Sequence, residues 1–442
     1  MVETHERSSQ SLVVDRELTK LTTAAGVVVY LRGNGEARGC PILEFAASGA
    51  MWITGRPDDA PVGVDFPLIS HIGAVCNGIS VLSSLVGLQV DLDPVRVVCE
   101  RAAERSFGRR GQSSANGSCR FIRCTDGWMA CNLPRSVDVE LLAAVVGEVV
   151  DDPWLALSRM GQRCTAIELV ERAQLVGIAA APLASESAGE EPRRSAVELV
   201  RMGESTPGTD RGPRIVDFSA MWAGPLCTHV LGRCGAEVVT VEDPTRPDGA
   251  RVGDPMMYER LHGGHSLASI SFSTDEGRRE LHRLVEQADV IIESSRPRAL
   301  AQLGLSPERF LSERTGRSWV SVTGYGREGS RANYVAFGDD AAVSGSLVAW
   351  SDPDTPVFCA DALADPISGL MAAFGALASL SGGGGFLVDV SMSAVSSLMH
   401  RGPRCNGDHR VQKNSSGRWV ASHGSRRQAI VSPSEALAVA HV

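Results

Sequence analysis

Residues 214–243 read RIVDFSAMWAGPLCTHVLGRCGAEVVTVED. The segments 214–219 and 237–243 are short and apolar, which predicts two buried strands. Residues 223–236 lie between them, start at a Gly-Pro pair and end near Gly235, a pattern typical of a helix. Short apolar strands that alternate with amphipathic helices indicate a parallel sheet covered on both faces.

The same alternation continues through the second half of the chain. Further strands are predicted at 289–295, 318–326 and 386–392, and further helices at 273–288 and 365–380. The first half has a different pattern: two strands around the turn Asp126-Gly127, helices from about 137 and over 164–176, and a strand in 177–183. These elements predict a small α+β unit.

A repeat links the two halves. The stretches 45–62 and 341–357 align through shared Ser-Gly and Pro-Asp pairs, and the small-residue helices that follow them align as well. In this alignment Ser70 stands where the second copy has Asp365. The first copy therefore lacks a carboxylate that the second copy has, unless the similarity of the two helices is due to chance.

Composition excludes several classes of protein. The 442 residues are 43% hydrophobic and 21% charged, as in a globular chain with a sizeable core. The net charge is −9, and no block of basic residues suggests a nucleic-acid site. No run of 18 apolar residues occurs and the start is polar, so we expect a cytoplasmic protein with no nucleic-acid or membrane partner.

Two kinds of residue have unusual distributions. Lys20 and Lys413 are the only lysines among 43 basic residues, which reflects either codon bias or the recognition of anions by arginine. The eleven cysteines form no Cys-x-x-Cys pair, and the spacing of Cys119, Cys124 and Cys131 fits no zinc module. We therefore predict buried free thiols and no metal site.

Asp365 is the strongest candidate for chemistry. Motifs for dinucleotide binding, nucleotide hydrolysis, serine hydrolases and zinc peptidases do not occur. The aspartate begins a predicted helix in ALADPISG, where a carboxylate most often acts as a helix cap. The small residues around it leave room for a substrate, and an ionised carboxylate is also a nucleophile.

The chain resembles the family III CoA-transferases, which include the formyl-CoA and carnitine CoA-transferases and the α-methylacyl-CoA racemases. The resemblance lies in the stretch quoted above, then in STDEGRRELHRLVEQADVIIESSRPRALAQLGLSPERF, WVSVTGYGREGS and DALADPISGLMAAFGALASL. These blocks run from about 213 to 400 in the family's order. Residues 40–187 resemble the family's catalytic segment and small domain more weakly, and here they come first.

The fold class implied is α/β, with a Rossmann-like parallel sheet domain and a smaller α+β domain. The predicted units are an N-terminal extension (1–40), a degenerate copy of the catalytic segment (41–112), a small α+β domain (113–187), a linker (188–212), a Rossmann-like CoA-binding and catalytic domain (213–400) and an irregular tail (401–442).

The resemblance also implies a reaction. In the family's transferases the aspartate that matches Asp365 attacks an acyl-CoA thioester, and a carboxylate suits this role because the mixed anhydride keeps the acyl group activated. The positions that the resemblance assigns to coenzyme A are Ala220, Met221, Trp222, Ala223, Ser294, Ser295, Arg296, Gly324 and Tyr325. Coenzyme A is then a thioester substrate, and no tightly bound cofactor is expected.

This chain departs from the family pattern at three places. One is Ser294-Ser295, where relatives commonly have Asn-Phe after the third strand. Relatives commonly carry Lys-Arg where it has His265-Ser266, so phosphate contacts would depend on arginines, of which the candidates are Arg246, Arg251, Arg296 and Arg298. In FGDDAAVSG the racemases carry a histidine, whereas this chain has Asp339 and Asp340. This difference disfavours racemisation, and we expect Asp339 and Asp340 to lie in a solvated turn or helix start.

The leading hypothesis is a CoA-transferase that exchanges CoA between an acyl-CoA and an organic acid. The alternatives are an acyl-CoA racemase or epimerase, and a CoA-binding relative that has lost turnover. Family members form interlocked homodimers, so we expect a homodimer. The small domain could close over Asp365 in its own chain or in a partner's.

Overall fold

The computed structural model describes residues 13–28, 39–183, 195–206, 211–405 and 407–440. The chain begins with a helical region, whose elements are α1 (Val13–Ala24), α2 (Pro41–Ala47), a 3-10 turn (Met51–Ile53), α3 (Leu68–Val86) and α4 (Pro94–Glu104). Local sequence explains the helix starts, because Pro41 and Pro94 occupy first-turn positions and the Asp93 carboxylate accepts the Val95 N–H.

The small α+β unit follows as predicted. Its elements are β1 (Cys119–Arg123), β2 (Trp128–Asn132), α5 (Ser136–Val146), α6 (Pro153–Gly161), α7 (Ala166–Leu175) and β3 (Ala179–Pro182). The three strands form an antiparallel sheet in the order β1-β2-β3. Leu142, Leu157 and Leu169 from the three helices lie in the core of this unit.

The second half builds the large sheet. Its elements are β4 (Val197–Arg201), β5 (Arg214–Asp217), α8 (Ala223–Arg233), β6 (Glu237–Glu242), α9 (Ala250–Gly253), α10 (Pro255–His262), β7 (Ser266–Ser269), α11 (Asp275–Gln287), β8 (Val290–Glu293), α12 (Arg298–Ala301), α13 (Pro307–Glu313), β9 (Ser318–Thr323), α14 (Gly338–Ser344), β10 (Val348–Asp352), β11 (Thr355–Phe358), α15 (Ala364–Ser381), β12 (Phe386–Ser391) and α16 (Met392–His400). The predicted strands and helices of this half are confirmed to within a few residues.

Seven strands form the sheet in the order β4-β12-β9-β8-β5-β6-β7. All neighbours are parallel except β4, which pairs antiparallel with β12. The predicted α/β fold is therefore confirmed. Strands β6 and β7 follow β5 on one side, and β8, β9 and β12 follow on the other side. The gap between the ends of β5 and β8 is therefore a topological switch point, where open α/β sheets bind ligands.

Two predicted irregular segments contain regular structure. The predicted linker, 188–212, lies partly outside the described residues, but its residues 197–201 form β4, because their backbone pairs with β12. The predicted irregular tail contains β13 (His409–Lys413), β14 (Trp419–His423), β15 (Arg426–Ala429) and α17 (Pro433–Val439). The three strands form an antiparallel sheet, so the prediction of an irregular tail is wrong.

The region predicted as a separate unit, 41–112, shares one core with the second half. Helix α3 packs along α15, and buried residues of both helices belong to the same apolar cluster. Among the described helices, α3 has the length and the mean hydropathy, 1.5, of a membrane span. Its contacts with α1, α4 and α15 instead make it a core helix of this fold.

The two halves share part of their order of elements. Helices α2, α3 and α4, then β1, β2 and α5, follow the same order as α14, α15 and α16, then β13, β14 and α17, although β10, β11, β12 and β15 interrupt the second series. Related residues occupy related places: Asp93 caps α4 as Ser391 caps α16, and Trp128 begins β2 as Trp419 begins β14. Helix α14 packs on β2 and β3, and α2 packs on β14 and β15, so each half supports the other half's sheet.

The contact between α3 and α15 depends on a glycine. A Cβ at Gly78 would lie 2.7 Å from Cε2 of Phe374, whereas a Cβ at Gly73 would meet nothing closer than 3.9 Å. We therefore expect Gly78→Ala to lower the free energy of unfolding by about 1–3 kcal/mol through overpacking. Gly73→Ala, on the same helix, should be neutral or stabilising by up to about 1 kcal/mol.

Chemical denaturation of both variants and the wild type measures this difference. Equal effects of the two substitutions would contradict the packing described here.

Candidate active site

Asp365 lies in the first turn of α15, as predicted. Its carboxylate accepts the backbone N–H of Gly338, which begins α14. A Cβ at Gly338 would lie 2.5 Å from Asp365 Oδ2 and 2.3 Å from the carbonyl oxygen of Ala362. Only glycine lets the two helix starts approach this closely, and the carboxylate is held between them.

Arg101 balances the charge of this region. Its guanidinium donates to both carboxylate oxygens of Asp361, at 2.9 and 2.7 Å, and to Asp254 Oδ2 at 2.9 Å. It also lies 5.2 Å from the ring of Trp222. Arg101 belongs to α4 in the first half of the chain, whereas Asp361 lies four residues before Asp365.

Burial raises the pKa of the site carboxyls. The pKa of Asp365 is raised to about 7, mainly by burial and in part by Asp340 and Asp361, while Arg101 and the Gly338 N–H oppose the shift. Asp365 therefore exists in both protonation states near neutral pH, and the ionised form is accessible as a nucleophile.

Asp339 and Asp340 lie in the first turn of α14, and a helix start was one of the two predicted locations. Both residues are buried, so the prediction that they are solvated is wrong. Asp339 accepts the Ala362 N–H at 3.1 Å. Asp340 accepts from Asn132 Nδ2 and from the Phe337 N–H, each at 3.0 Å. Burial raises the pKa of Asp339 to about 8 and that of Asp340 to about 7. Proton-binding carboxyls thus surround Asp365.

The loop after β5 lies beside this cluster. The Ala220 N–H donates to Ser294 Oγ at 3.1 Å, across the switch point. Met221 is exposed and has a left-handed backbone, with φ of 71°, and its N–H donates to Asp248. Trp222 packs with Ala362, and Ala223 begins α8, which contacts α15. The structure therefore brings the loop 220–223 next to Ser294 and to the start of α15.

Gly324 and Tyr325 follow β9 and complete the surroundings. A Cβ at Gly324 would lie 2.5 Å from the Cβ of Ala336, so the segment before α14 packs directly on this glycine. Burial and the nearby Asp340 raise the pKa of Tyr325, whose ring stands edge-on to Tyr334. Tyr325 thus adjoins the carboxyl cluster.

Arginines gather at the outer end of the switch point. Arg296 and Arg298 are exposed after β8, as is Arg246 after β6. The pKa of Arg296 is lowered by burial and then by the charges of Arg298, Arg135 and Arg246, so each of these three guanidinium groups acts on Arg296. Ser295, between Ser294 and this cluster, is half-buried.

Arg251 and His265 differ from these exposed arginines. Arg251 is engaged by Glu242, at 3.0 Å, and by the ring of Tyr258. Burial and neighbouring histidines lower the pKa of His265 to about 4, so its ring is neutral at pH 7. The Arg296 cluster therefore remains as the cationic surface at this end of the sheet.

The first half of the chain completes the site from within the same chain. Arg101 on α4 and Asn132 on β2 reach Asp361 and Asp340, which lie more than 200 residues later. Nothing in the sequence identified Arg101 or Asn132, because neither stands in a motif. The short spacing of Asp361 to Asp365 in DALAD was the one available signal for a carboxylate cluster.

Comparison of the sequence with known proteins identifies relatives of this chain. Residues 211–425 match the family model described as CoA-transferase family III. A (R)-2-hydroxy-4-methylpentanoate CoA-transferase from Clostridioides difficile is 29% identical over 185 residues, which are 38% of this chain and 46% of that protein. A succinyl-CoA–D-citramalate CoA-transferase from Chloroflexus aurantiacus is 29% identical over 192 residues, 40% of this chain and 48% of that protein.

Among solved structures, a CAIB/BAIF family protein from Brucella suis matches with a TM-score of 0.41 and 23% identity, over 49% of this chain and 66% of that chain. The present chain spans about half the length of the curated relatives that it matches.

The carboxyl cluster predicts how stability depends on pH. Because the pKa values of Asp339, Asp340 and Asp365 are raised to about 8, 7 and 7, the folded chain keeps protons that the unfolded chain has released. The resulting stabilisation is complete below about pH 4 and is lost as pH rises through 7 to 8. The free energy of unfolding should therefore fall between pH 6.5 and pH 8.

Urea denaturation at these two pH values tests the sign. This pH range lies between the ordinary pKa values of histidine, about 6.5, and cysteine, about 8.5, which limits the contribution of these residues to the change in stability. Asp339→Asn should reduce the fall, whereas Asp58→Asn, at an exposed position, should leave it unchanged. Stability that rises across this pH range would contradict the raised pKa values.

Proposed function

We propose that this chain moves CoA between an acyl-CoA and a free carboxylic acid, with Asp365 as the covalent nucleophile, because residues 211–425 match the model of CoA-transferase family III. The observation that carries the proposal is the position of the Asp365 carboxylate. It lies at the start of α15, accepts the Gly338 N–H, and stands close to Arg101 and to the loop 220–223. The named activities of the relatives support transfer of CoA to or from organic acids.

The first half-reaction begins with the ionised form of Asp365. Its carboxylate oxygen attacks the thioester carbonyl carbon, the C–S bond breaks, and CoA leaves as the thiolate. The product on the enzyme is a mixed anhydride of Asp365 and the acyl group. The positive charge of Arg101 favours the ionised carboxylate, so it supports this step although it is bound to Asp361 and Asp254.

The second half-reaction transfers CoA to the acceptor. The CoA thiolate attacks the aspartyl carbonyl of the anhydride, releases the donor acid and leaves an aspartyl-CoA thioester. The acceptor carboxylate then attacks this thioester, the C–S bond breaks, CoA leaves as the thiolate and a new anhydride forms. The thiolate attacks the acceptor carbonyl of this anhydride, which gives the acceptor acyl-CoA and releases the aspartate. Asp365 is regenerated as a carboxylate, and no net proton is consumed.

We assign the binding of coenzyme A to the switch point. The backbone of residues 220–223, with Ser294 and Ser295, faces the end of the sheet where ligands of this fold class bind. The arginines around Arg296 supply positive charge for the phosphates, and arginine suits phosphate through its paired N–H groups. Gly324 and Tyr325 adjoin the carboxyl cluster and would face the thioester.

Assembly and location remain predictions. The carboxyl cluster draws residues from both halves of one chain. We retain the homodimer and the cytoplasmic location as expectations.

The covalent intermediate provides the first test. The enzyme is incubated with acetyl-, formyl- or succinyl-CoA and hydroxylamine, which converts an aspartyl anhydride or thioester into a hydroxamate. Peptide mass spectrometry should find the modification on Asp365. Asp365→Asn should abolish trapping and lower CoA transfer by at least about 10³-fold, because the amide cannot form the anhydride.

Asp58→Asn serves as the matched control and should retain full trapping. Binding of CoA with no adduct for any donor would refute the transferase and favour a relative without turnover. Exchange of solvent deuterium into the α-carbon without CoA transfer would indicate a racemase instead.

The arginine cluster provides the second test. Arg296→Gln removes one charge next to Arg246 and Arg298, so we expect KM for the acyl-CoA to rise about 10-fold with little change in kcat. Arg279→Gln, on the exposed face of α11, should change neither constant. Arg296→Gln should have no effect on inhibition by a CoA analogue that lacks phosphates. Weaker inhibition of this variant by the analogue would contradict the assignment.

A further inference from the structure

Four metal-ligating side chains meet outside the candidate active site. Cys40, Cys405, His409 and His423 bring one ligand atom each to within 4.8 Å of all the others. Cys40 precedes α2, Cys405 follows α16, His409 begins β13 and His423 ends β14. The two histidines are direct cross-strand partners, so the sheet itself sets them side by side.

The distances within the cluster fit a tetrahedral ion. Cys40 Sγ lies 3.1 Å from His409 Nε2, and Cys405 Sγ lies 3.3 Å from both Cys40 Sγ and His409 Nε2. The rings of His409 and His423 are stacked with centroids 4.4 Å apart. A zinc ion with ordinary bond lengths places its ligand atoms about 3.3 to 3.8 Å apart, so a small outward movement of the sulfur atoms admits it.

The donor set favours zinc among the common metals. Two thiolates and two imidazoles in a tetrahedral arrangement are typical of structural zinc, whereas calcium and magnesium require oxygen ligands. Ten of the eleven cysteines are buried thiols, as predicted, and Cys405 is half-buried. The sequence does not reveal this site, because Cys40 lies 365 residues from Cys405 and no motif connects them.

The last sheet has few apolar residues to hold it in place. Strands β13 and β15 contain no fully buried residue, and the buried apolar residues of the segment 409–440 are Ala421, Ile430, Pro433 and Ala436. Small units with so little apolar burial usually need a metal or a disulfide. Helix α2 packs on this sheet, and a metal held by β13, β14 and the start of α2 would strengthen that attachment.

The repeat shows what the other half has at the corresponding place. In the other half Asn132 on β2 donates to Asp340 on α14, a buried hydrogen bond that ties the sheet to the helix. His423 ends β14 as Asn132 ends β2, and its neighbour Cys40 precedes α2. In the half that contains Ser70, the carboxylate of Glu44 on α2 accepts the Ser70 hydroxyl at 2.7 Å. His423 and Cys40 thus meet at a helix start that corresponds to the place of the Asn132–Asp340 hydrogen bond in the other half.

We propose that Cys40, Cys405, His409 and His423 bind one zinc ion that fastens the sheet β13-β14-β15 to the start of α2. Binding converts both thiols to thiolates and releases their two protons to solvent, while the imidazoles bind as neutral rings. The zinc is structural, because the chain supplies all four ligands of a tetrahedral ion.

Metal content is the first test. The full chain is produced with an affinity tag that lacks histidine, in medium that contains zinc, and its metals are measured by mass spectrometry. We expect about one zinc per chain. Cys405→Ser and His423→Asn should each lower this content several-fold, whereas Cys164→Ser, a buried cysteine of the small α+β unit, should not.

Cobalt substitution of the wild-type chain is the second test, and it does not depend on the folding of a variant. We expect the absorption of a tetrahedral Co²⁺ ion together with thiolate-to-cobalt charge-transfer bands. Chelation should then increase proteolysis within 407–440 while the segment 214–293 stays protected.

Three results would overturn the proposal. They are a chain without zinc after growth in zinc, zinc content that the ligand variants do not change, and a disulfide between Cys40 and Cys405 in the freshly purified protein. The first two would leave the cluster as packed thiols and imidazoles, and the third would make it a redox cross-link. None of these results depends on CoA transfer, so the zinc site and the proposed enzyme activity can fail separately.

Discussion

The packing of α3 along α15 is the contact on which the rest of the structure depends. It joins the first and second halves of the chain in one apolar core, and it relies on close approach at Gly78. Helix α4 follows α3, so this contact also fixes the place of Arg101 beside Asp361. Without the pairing of the two helices, Arg101 would not be placed to contact Asp361.

The carboxyl cluster has a cost in stability that its surroundings reduce. Asp339, Asp340, Asp361 and Asp365 are drawn together at two helix starts, and their ionisation is opposed by burial and by mutual repulsion. The paired contacts with Arg101, Asn132 and the backbone N–H groups compensate part of this cost. The same arrangement keeps the pKa of Asp365 near neutrality, where a carboxyl can be both a proton carrier and a nucleophile.

The two halves share part of their order of elements but have different polar contacts between helix and sheet. In one half the helix start carries Asp340 and receives a hydrogen bond from Asn132. In the other half Ser70 binds Glu44, and cysteine and histidine side chains gather at the sheet. A duplicated scaffold thus retains its packing while one copy supports a candidate reaction centre and the other supports a candidate structural metal.

Much of the fold followed from the sequence. Strands such as 214–217 and helices such as 364–381 were predictable because their apolar periodicity is local and strong, and Asp365 was found because a family motif surrounds it. Strand β4 and the sheet β13-β14-β15 were missed. These strands are short, and they are stabilised by pairing with backbone that local sequence does not reveal.

The sequence by itself determined the class of fold and the identity of the candidate nucleophile, since each depends on residues that are close together along the chain. Tertiary structure alone decided that Arg101 faces Asp361, that Asp339 and Asp340 are buried, and that Cys40 lies beside Cys405. These contacts join residues separated by tens to hundreds of positions. Their energies depend on burial and on distances between side chains, which arise only when the two halves pack together.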